Sequence, residues 1–152
     1  MTPTQERDHM EEHVFSTILY ATDGSDHARR ALAVARDIAR RYDATVVVLT
    51  AYDPLPRDLG SPYVDHLMAK RLAAGEALVR QAAEALDERG VRHEETVLEG
   101  PAAAAILEAA RTRGCDLIVL GSRGLGRVEA ALLGSVSQQV VQQAPCPVLI
   151  VR

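Results

Sequence analysis

The residues with the clearest chemical potential lie in LGSRGLGRVEAALLGSVSQQV, residues 120–140, where glycines and a serine fall in the spacing Gly121-x2-Gly124-x9-Gly134-Ser135. Glycine has no Cβ, so backbone amides at Gly121, Gly124 and Gly134 can approach a ligand's oxygen atoms closely. Ser135, Val136 and Ser137 open a helical pattern. Their N–H groups lack partners within the helix, and the helix dipole there favours an anion. The hydroxyls of Ser135 and Ser137 would add donors, and Arg123 and Arg127 lie near enough in sequence to offset anionic charge. Such a constellation suits phosphate oxygens. A plainer reading stays open beside it: Ser135-x-x-Gln138 is a capping box worth about 1 kcal/mol, and the glycines could merely shape a turn. A cap explains one serine, however, and not three spaced glycines. With ten glycines in 152 residues, chance alone gives roughly 0.004 matches to this pattern.

Two better-known phosphate loops fail on chemistry. A P-loop needs a lysine and then a hydroxyl for Mg²⁺, but Arg127 and Val128 stand at those positions. A dinucleotide fingerprint needs glycines after the first strand, where this chain has ATDGSD. In that stretch Asp23 is the candidate contact, since a carboxylate accepts hydrogen bonds from ribose hydroxyls. Asp23-Gly24 is also a natural Asx-turn, and that alternative remains open.

Composition narrows the classes. Hydrophobic residues make up 47% and charged residues 25%, with no Trp, one Phe and four Tyr. An aliphatic core of this kind favours helices layered on a parallel sheet. The net charge of −4 supplies no basic field for nucleic acid or an anionic membrane. No apolar run approaches the ~18 residues of a transmembrane span. Residues 1–14 read as a flexible polar tail without the apolar core of a secretory signal, and residues 15–152 as one domain. Cys115 and Cys146 are 31 residues apart in no metal spacing. Buried reduced thiols in a cytoplasmic chain are expected. The five His residues form no HExxH or HxxxH pattern, which removes support for a metal hydrolase.

These residues need elements to position them. STILYATD (16–23) reads as a strand, and Ser25 as the N-cap of a helix whose buried face carries Ala28, Ala31, Leu32, Ala35, Ile38, Ala39 and Tyr42. Residues 44–52 form a near-continuous apolar strand, suited to cover on both faces. A Pro- and Gly-rich loop, 53–62, is long enough to move over the site. A long helix, 64–89, follows, with Leu72, Val79, Ala82, Ala83 and Leu86 inward and Gly90 ending it. Residues 91–99 make a more polar strand nearer a sheet edge. Pro101 should start the next helix as its first residue. DLIVLG (116–121), a short helix over 135–144 and PVLIV (147–151) complete the chain. Right-handed crossovers then give a doubly wound α/β fold, a five-stranded parallel sheet in the order 3-2-1-4-5 with helices on both faces. The winding switches between strands 1 and 4, and a ligand crevice is expected beyond their carboxyl ends.

From Phe15 to Arg152 the chain resembles the universal stress proteins, in ATDGS, VVVLTAYD, the Gly100-Pro101 helix start, DLIVLGSRG, LLGSVSQQV and CPVLIV. It looks most like their ATP-binding branch, whose members carry G-x2-G-x9-G-[ST]. The resemblance implies an adenine nucleotide (ATP, or ADP or AMP), with Mg²⁺ accompanying a triphosphate. It places Ala21, Thr22 and Asp23 against the nucleoside, the main chain of Ala51 at the adenine edge, and Leu120 against the ribose. Gly121, Gly124, Gly134, Ser135, Val136 and Ser137 would take the phosphates. Ala21 departs from the Pro frequent at its position in the family.

The resemblance also implies a homodimer formed by antiparallel pairing of strand 147–151, whose apolar edge invites it. Three functions are carried forward: a nucleotide-dependent sensor or regulatory module in a stress response, a slow ATP hydrolase or nucleotidyl transferase, and a dimeric interaction module whose nucleotide is incidental. Turnover needs a group that positions water and a clamp on the transferring phosphate. The glycine segment offers only Glu129, and neither HIGH nor SGGxDS occurs in the chain. Binding without efficient turnover is therefore preferred.

Overall fold

The computed structural model describes residues 14–125 and 133–152. The expected polar tail, apart from Val14, lies outside the described residues, as do Arg127, Val128 and Glu129. Five strands, β1 (Thr17–Ala21), β2 (Thr45–Tyr52), β3 (His93–Glu99), β4 (Leu117–Gly121) and β5 (Val148–Val151), alternate with four helices. These are α1 (Asp26–Tyr42), α2 (Tyr63–Asp87), α3 (Ala102–Thr112) and α4 (Ser135–Gln143). All strands run parallel in the order β3-β2-β1-β4-β5, as expected. The more polar third strand is indeed at an edge.

Strand alternation divides the core in two. Ile18, Tyr20, Val46, Val48, Leu117 and Val119 face one layer, where α1 contributes Ala31, Ala35 and Ala39, and α2 contributes Val79, Ala82 and Leu86. Leu19, Val47, Leu49, Ile118 and Leu120 face the other, against Ile106 and Leu107 of α3 and Val140 of α4. Each fully buried aliphatic side chain adds about 1.5–3 kcal/mol, and the central strands β1, β2 and β4 concentrate them. Their continuous apolar character reflects cover from both sides.

Ser25 caps α1 as expected, its side chain accepting from the Ala28 amide. The alanine face of this helix lets its backbone lie close to the sheet. Two expectations for the helices need correction. Leu72 is 40% exposed rather than inward. The buried face of α2 begins only at Gly75, where an added Cβ would meet Val97 Cγ1 at 2.9 Å and Thr50 Cγ2 at 3.2 Å. Pro101 is the cap of α3, not its first residue, because its ψ of 132° is extended and helical backbone starts at Ala102. α2 stops at Asp87, and Gly90 (φ 69°) lets the chain turn so that the Val91 amide reaches the Leu86 carbonyl. Among the described residues no helix is long and apolar enough to cross a membrane.

Candidate functional site

A cavity of about 340 Å³ opens at the carboxyl ends of β1 and β4, the point where winding reverses. The residues the resemblance places against the nucleotide all line it: Ala21, Thr22 and Asp23 leaving β1, Ala51 near the end of β2, Leu120 and Gly121 closing β4, Gly124 beyond, and Gly134, Ser135, Val136 and Ser137 at the start of α4. Arg123 lines it too. Sequence reasoning missed the apolar wall formed by Leu49, Ala102 and Ile106. Leu49 and Ile106 belong to the buried core, 0% and 2% exposed, and also border the cavity. Among the described residues, none of the loop 53–62 lines it.

Asp23 joins two loops. Its Oδ1 accepts from the Ser25 amide at 2.9 Å, the expected Asx-turn, and its Oδ2 accepts from the Leu125 amide at 3.2 Å. One carboxylate therefore ties the exit of β1 to the loop after β4. Thr22 is held by its own backbone: its amide donates to the Leu49 carbonyl at 2.9 Å, and its carbonyl accepts from the Thr50 hydroxyl at 2.7 Å.

The glycines have distinct structural reasons. A Cβ on Gly121 would sit 2.8 Å from the His27 carbonyl carbon and Cβ and 2.9 Å from the Ala28 amide nitrogen. Gly121 is thus required by the close packing of α1 against β4. A Cβ on Gly124 would lie 2.5 Å from Asp23 Oδ2. At Gly134 the nearest atom would be 3.4 Å away, an ordinary contact.

The start of α4 departs from the capping box. Gly134 is the N-cap, and Ser135 is the first helical residue and makes no cap bond. Its position one residue too far along leaves the exposed Ser135 hydroxyl and the first-turn amides facing the cavity. The Ser137 hydroxyl, expected as a ligand donor, instead donates to the Gly121 carbonyl at 2.8 Å and is buried. That bond fastens the first turn of α4 to the end of β4. The Gly134 amide donates to the Ser122 carbonyl at 2.7 Å, which closes the same junction. Helix-start amides with no partner among the described residues, the Ser135 hydroxyl and Arg123 thus face an apolar wall, an arrangement suited to a ligand with an anionic end and a flat apolar end.

Both cysteines are free thiols away from this cavity, Cys115 buried and Cys146 half-buried. Burial pushes the Cys115 thiol up to about 11 and raises Cys146 also, so neither is primed as a nucleophile. Among the described residues no group of His, Cys, Asp and Glu is gathered to hold a metal ion.

Comparison with known proteins places these features in a wider set. A universal stress protein of Thermus aquaticus, from the 3′ region of QAH/OAS sulfhydrylase, is 49% identical over 140 residues, covering 91% of this chain and 100% of that protein. The structure of the universal stress protein UspA from Lactobacillus plantarum matches with a TM-score of 0.83 at 27% identity, over 91% of this chain and 98% of that one. A universal stress protein solved in complex with cAMP matches with a TM-score of 0.73 at 31% identity, over 91% and 98%. The model of the Universal stress protein family itself matches residues 15–152, and the chain belongs to that family.

Proposed function

We propose that the cavity between β1 and β4 binds an adenine nucleotide (ATP, ADP or AMP), and that the protein is a cytoplasmic, nucleotide-dependent regulatory module in a stress response. The observation that carries this reading is the convergence of the first-turn amides of α4, which have no partner among the described residues, with the Ser135 hydroxyl and Arg123 on a cavity whose other wall is apolar. Leu49, Ile106 and Leu120 would take the base and sugar faces, and the amides of Ser135, Val136 and Ser137 the phosphates. The cavity volume lies within the range of small-molecule sites. The relative solved with cAMP, at 31% identity, supports an adenine nucleotide. With a polyphosphate, Mg²⁺ would take its oxygens from phosphate and water rather than from a cage of carboxylates.

Binding without efficient turnover fits the state of Asp23. It is the one carboxylate among the described lining residues, and both its oxygens accept from backbone amides. A group so engaged is poorly placed to orient an attacking water. The second part of the proposal is a homodimer through β5, which pairs with β4 on one side only and leaves Leu149 36% exposed.

Calorimetry with ATP, AMP and GTP tests the reading. Native protein should bind the adenine nucleotides one per chain and GTP more weakly. Gly124→Val should abolish binding, because its side chain displaces Asp23, and Ser135→Ala should weaken it several-fold. No binding of any adenine nucleotide at millimolar concentration would overturn the proposal.

A further inference from the structure

Ser122 lies between the first two glycines of the motif but does not line the cavity, and neither does His27. It is nonetheless 2% exposed and the most heavily tied residue of the junction. Its amide donates to the Val151 carbonyl at 2.8 Å, at the end of β5. Its carbonyl accepts from the Gly134 amide at 2.7 Å, at the cap of α4. Its hydroxyl shares a hydrogen bond of 3.0 Å with His27 Nδ1, in the first turn of α1. Three elements thus meet on one residue.

We infer that Ser122 and His27 form a positioning couple that aims the first-turn amides of α4 at the nucleotide from outside the cavity. The inference rests on the nucleotide reading above and adds two residues to it.

The exit of β4 presses on α1 at Gly121, where only the missing Cβ allows contact with His27 and Ala28. That contact sets the distance between α1 and the exit of β4, but sterics alone leave the loop free to slide along the helix. The hydrogen bond to His27 removes that freedom, since hydrogen bonds are directional where packing is not. With the Ser122 amide held by Val151 and its side chain by His27, its carbonyl is held in place as well, and it accepts from the Gly134 amide. Gly134 in turn sets where α4 begins. Arg30, one turn along α1 from His27, donates to the Arg152 carbonyl beyond β5 at 3.0 Å, so the same face of α1 holds both strand exits. Side chains that never touch the ligand thereby govern the geometry of those that do. Loss of alignment in such a donor set lowers affinity even when the fold is intact.

The decisive experiment is a double-mutant cycle on ATP affinity, with Ser122→Ala, His27→Leu and the pair. Each single variant should bind roughly five- to tenfold more weakly, and the double variant no more weakly than the worse single, because the two act through one bond. His27→Asn, which can present a hydrogen-bonding atom near the place of Nδ1, should recover most of the affinity. Asp116→Ala is the stability control. It removes the acceptor of the Ser16 amide and hydroxyl at the far end of β1, and should lower stability while leaving affinity unchanged. In nucleotide-free protein, hydrogen exchange at the Gly134 amide should quicken in both single variants and not in Asp116→Ala. Additive losses in the cycle, native affinity in either single variant, or unchanged Gly134 exchange would overturn the positioning role. If native protein binds no adenine nucleotide while Gly134 exchange responds as stated, the nucleotide reading is what has failed, and the proposed aiming of amides at a nucleotide goes with it.

Discussion

Replacing each motif glycine by alanine should separate the glycines by structural cause. At Gly121 the new Cβ meets backbone atoms of α1 at 2.8–2.9 Å, which no side-chain rotation relieves. A helix of 17 residues must then move off the sheet by about 0.5 Å or more. Overpacking of this kind costs about 1–3 kcal/mol, and the gain of roughly 0.5 kcal/mol from a stiffer unfolded chain offsets little of it. A net loss of about 2 kcal/mol corresponds to a fall in Tm of roughly 4–8 °C in a chain of this length. At Gly124 the clash is with the carboxylate of Asp23, an exposed side chain that can swing away. The cost is then its bonds from the Ser25 and Leu125 amides, about 1 kcal/mol in such an exposed setting. At Gly134 no atom of the described residues lies nearer than 3.4 Å, and the φ of −68° suits alanine, so stability should change by less than about 0.5 kcal/mol. Urea midpoints at constant m, with calorimetric Tm values, give the order directly. If Gly121→Ala proves as stable as the native chain, or Gly134→Ala the most damaging, the packing account of Gly121 is wrong.

Further outcomes follow from other contacts. Burial pushes the Tyr20 hydroxyl from its usual 10.0 up to about 12 and the Cys115 thiol from 9.0 up to about 11. Both groups are neutral when protonated, so the folded state holds its protons longer than the unfolded chain, and the stability they contribute is full below about pH 9 and lost as pH rises to 12. Urea midpoints should be flat up to pH 9 and fall above it, and Tyr20→Phe should remove the decline arising from that hydroxyl. Ser25→Ala should cost about 1 kcal/mol by leaving the Ala28 amide without its cap, whereas Ser25→Asp should be nearly neutral in the same assay. Leu149→Asp places a charge on the outer strand β5 and should convert the proposed dimer to monomers in analytical ultracentrifugation; an unchanged assembly would locate the interface elsewhere.

Much of the fold is legible in the chain because its signals are local. Residues 44–52 are apolar almost without a break, which only a strand covered on both sides requires. Ser25 caps a helix because its hydroxyl needs only the amide three residues on. Crossover handedness is a rule of chain geometry, so the order of elements leaves few strand orders to choose from. The glycine motif and Asp23 were legible for a related reason, since a ligand crevice forms where winding reverses and both stand beside that reversal, whereas Ala21, Thr22, Ala51 and Leu120 came from the family resemblance alone. Leu72 shows the limit. Its apolar type and spacing match an inward face, but the buried face of α2 begins only at Gly75, and periodicity carries no record of where a partner surface ends.

Sequence alone determined the class of fold, narrowed the strand order and marked the glycine motif and Asp23 for the crevice, because alternation, caps and crossovers act over a few residues or obey general chirality. Tertiary structure decided what each residue does there. Gly121 answers to the backbone of α1, Gly124 to the carboxylate of Asp23, the Ser137 hydroxyl to the Gly121 carbonyl, and Ser122 to His27 across 95 positions of chain. Those roles depend on distances between segments remote in sequence, and such distances exist only once the helices have packed on the sheet.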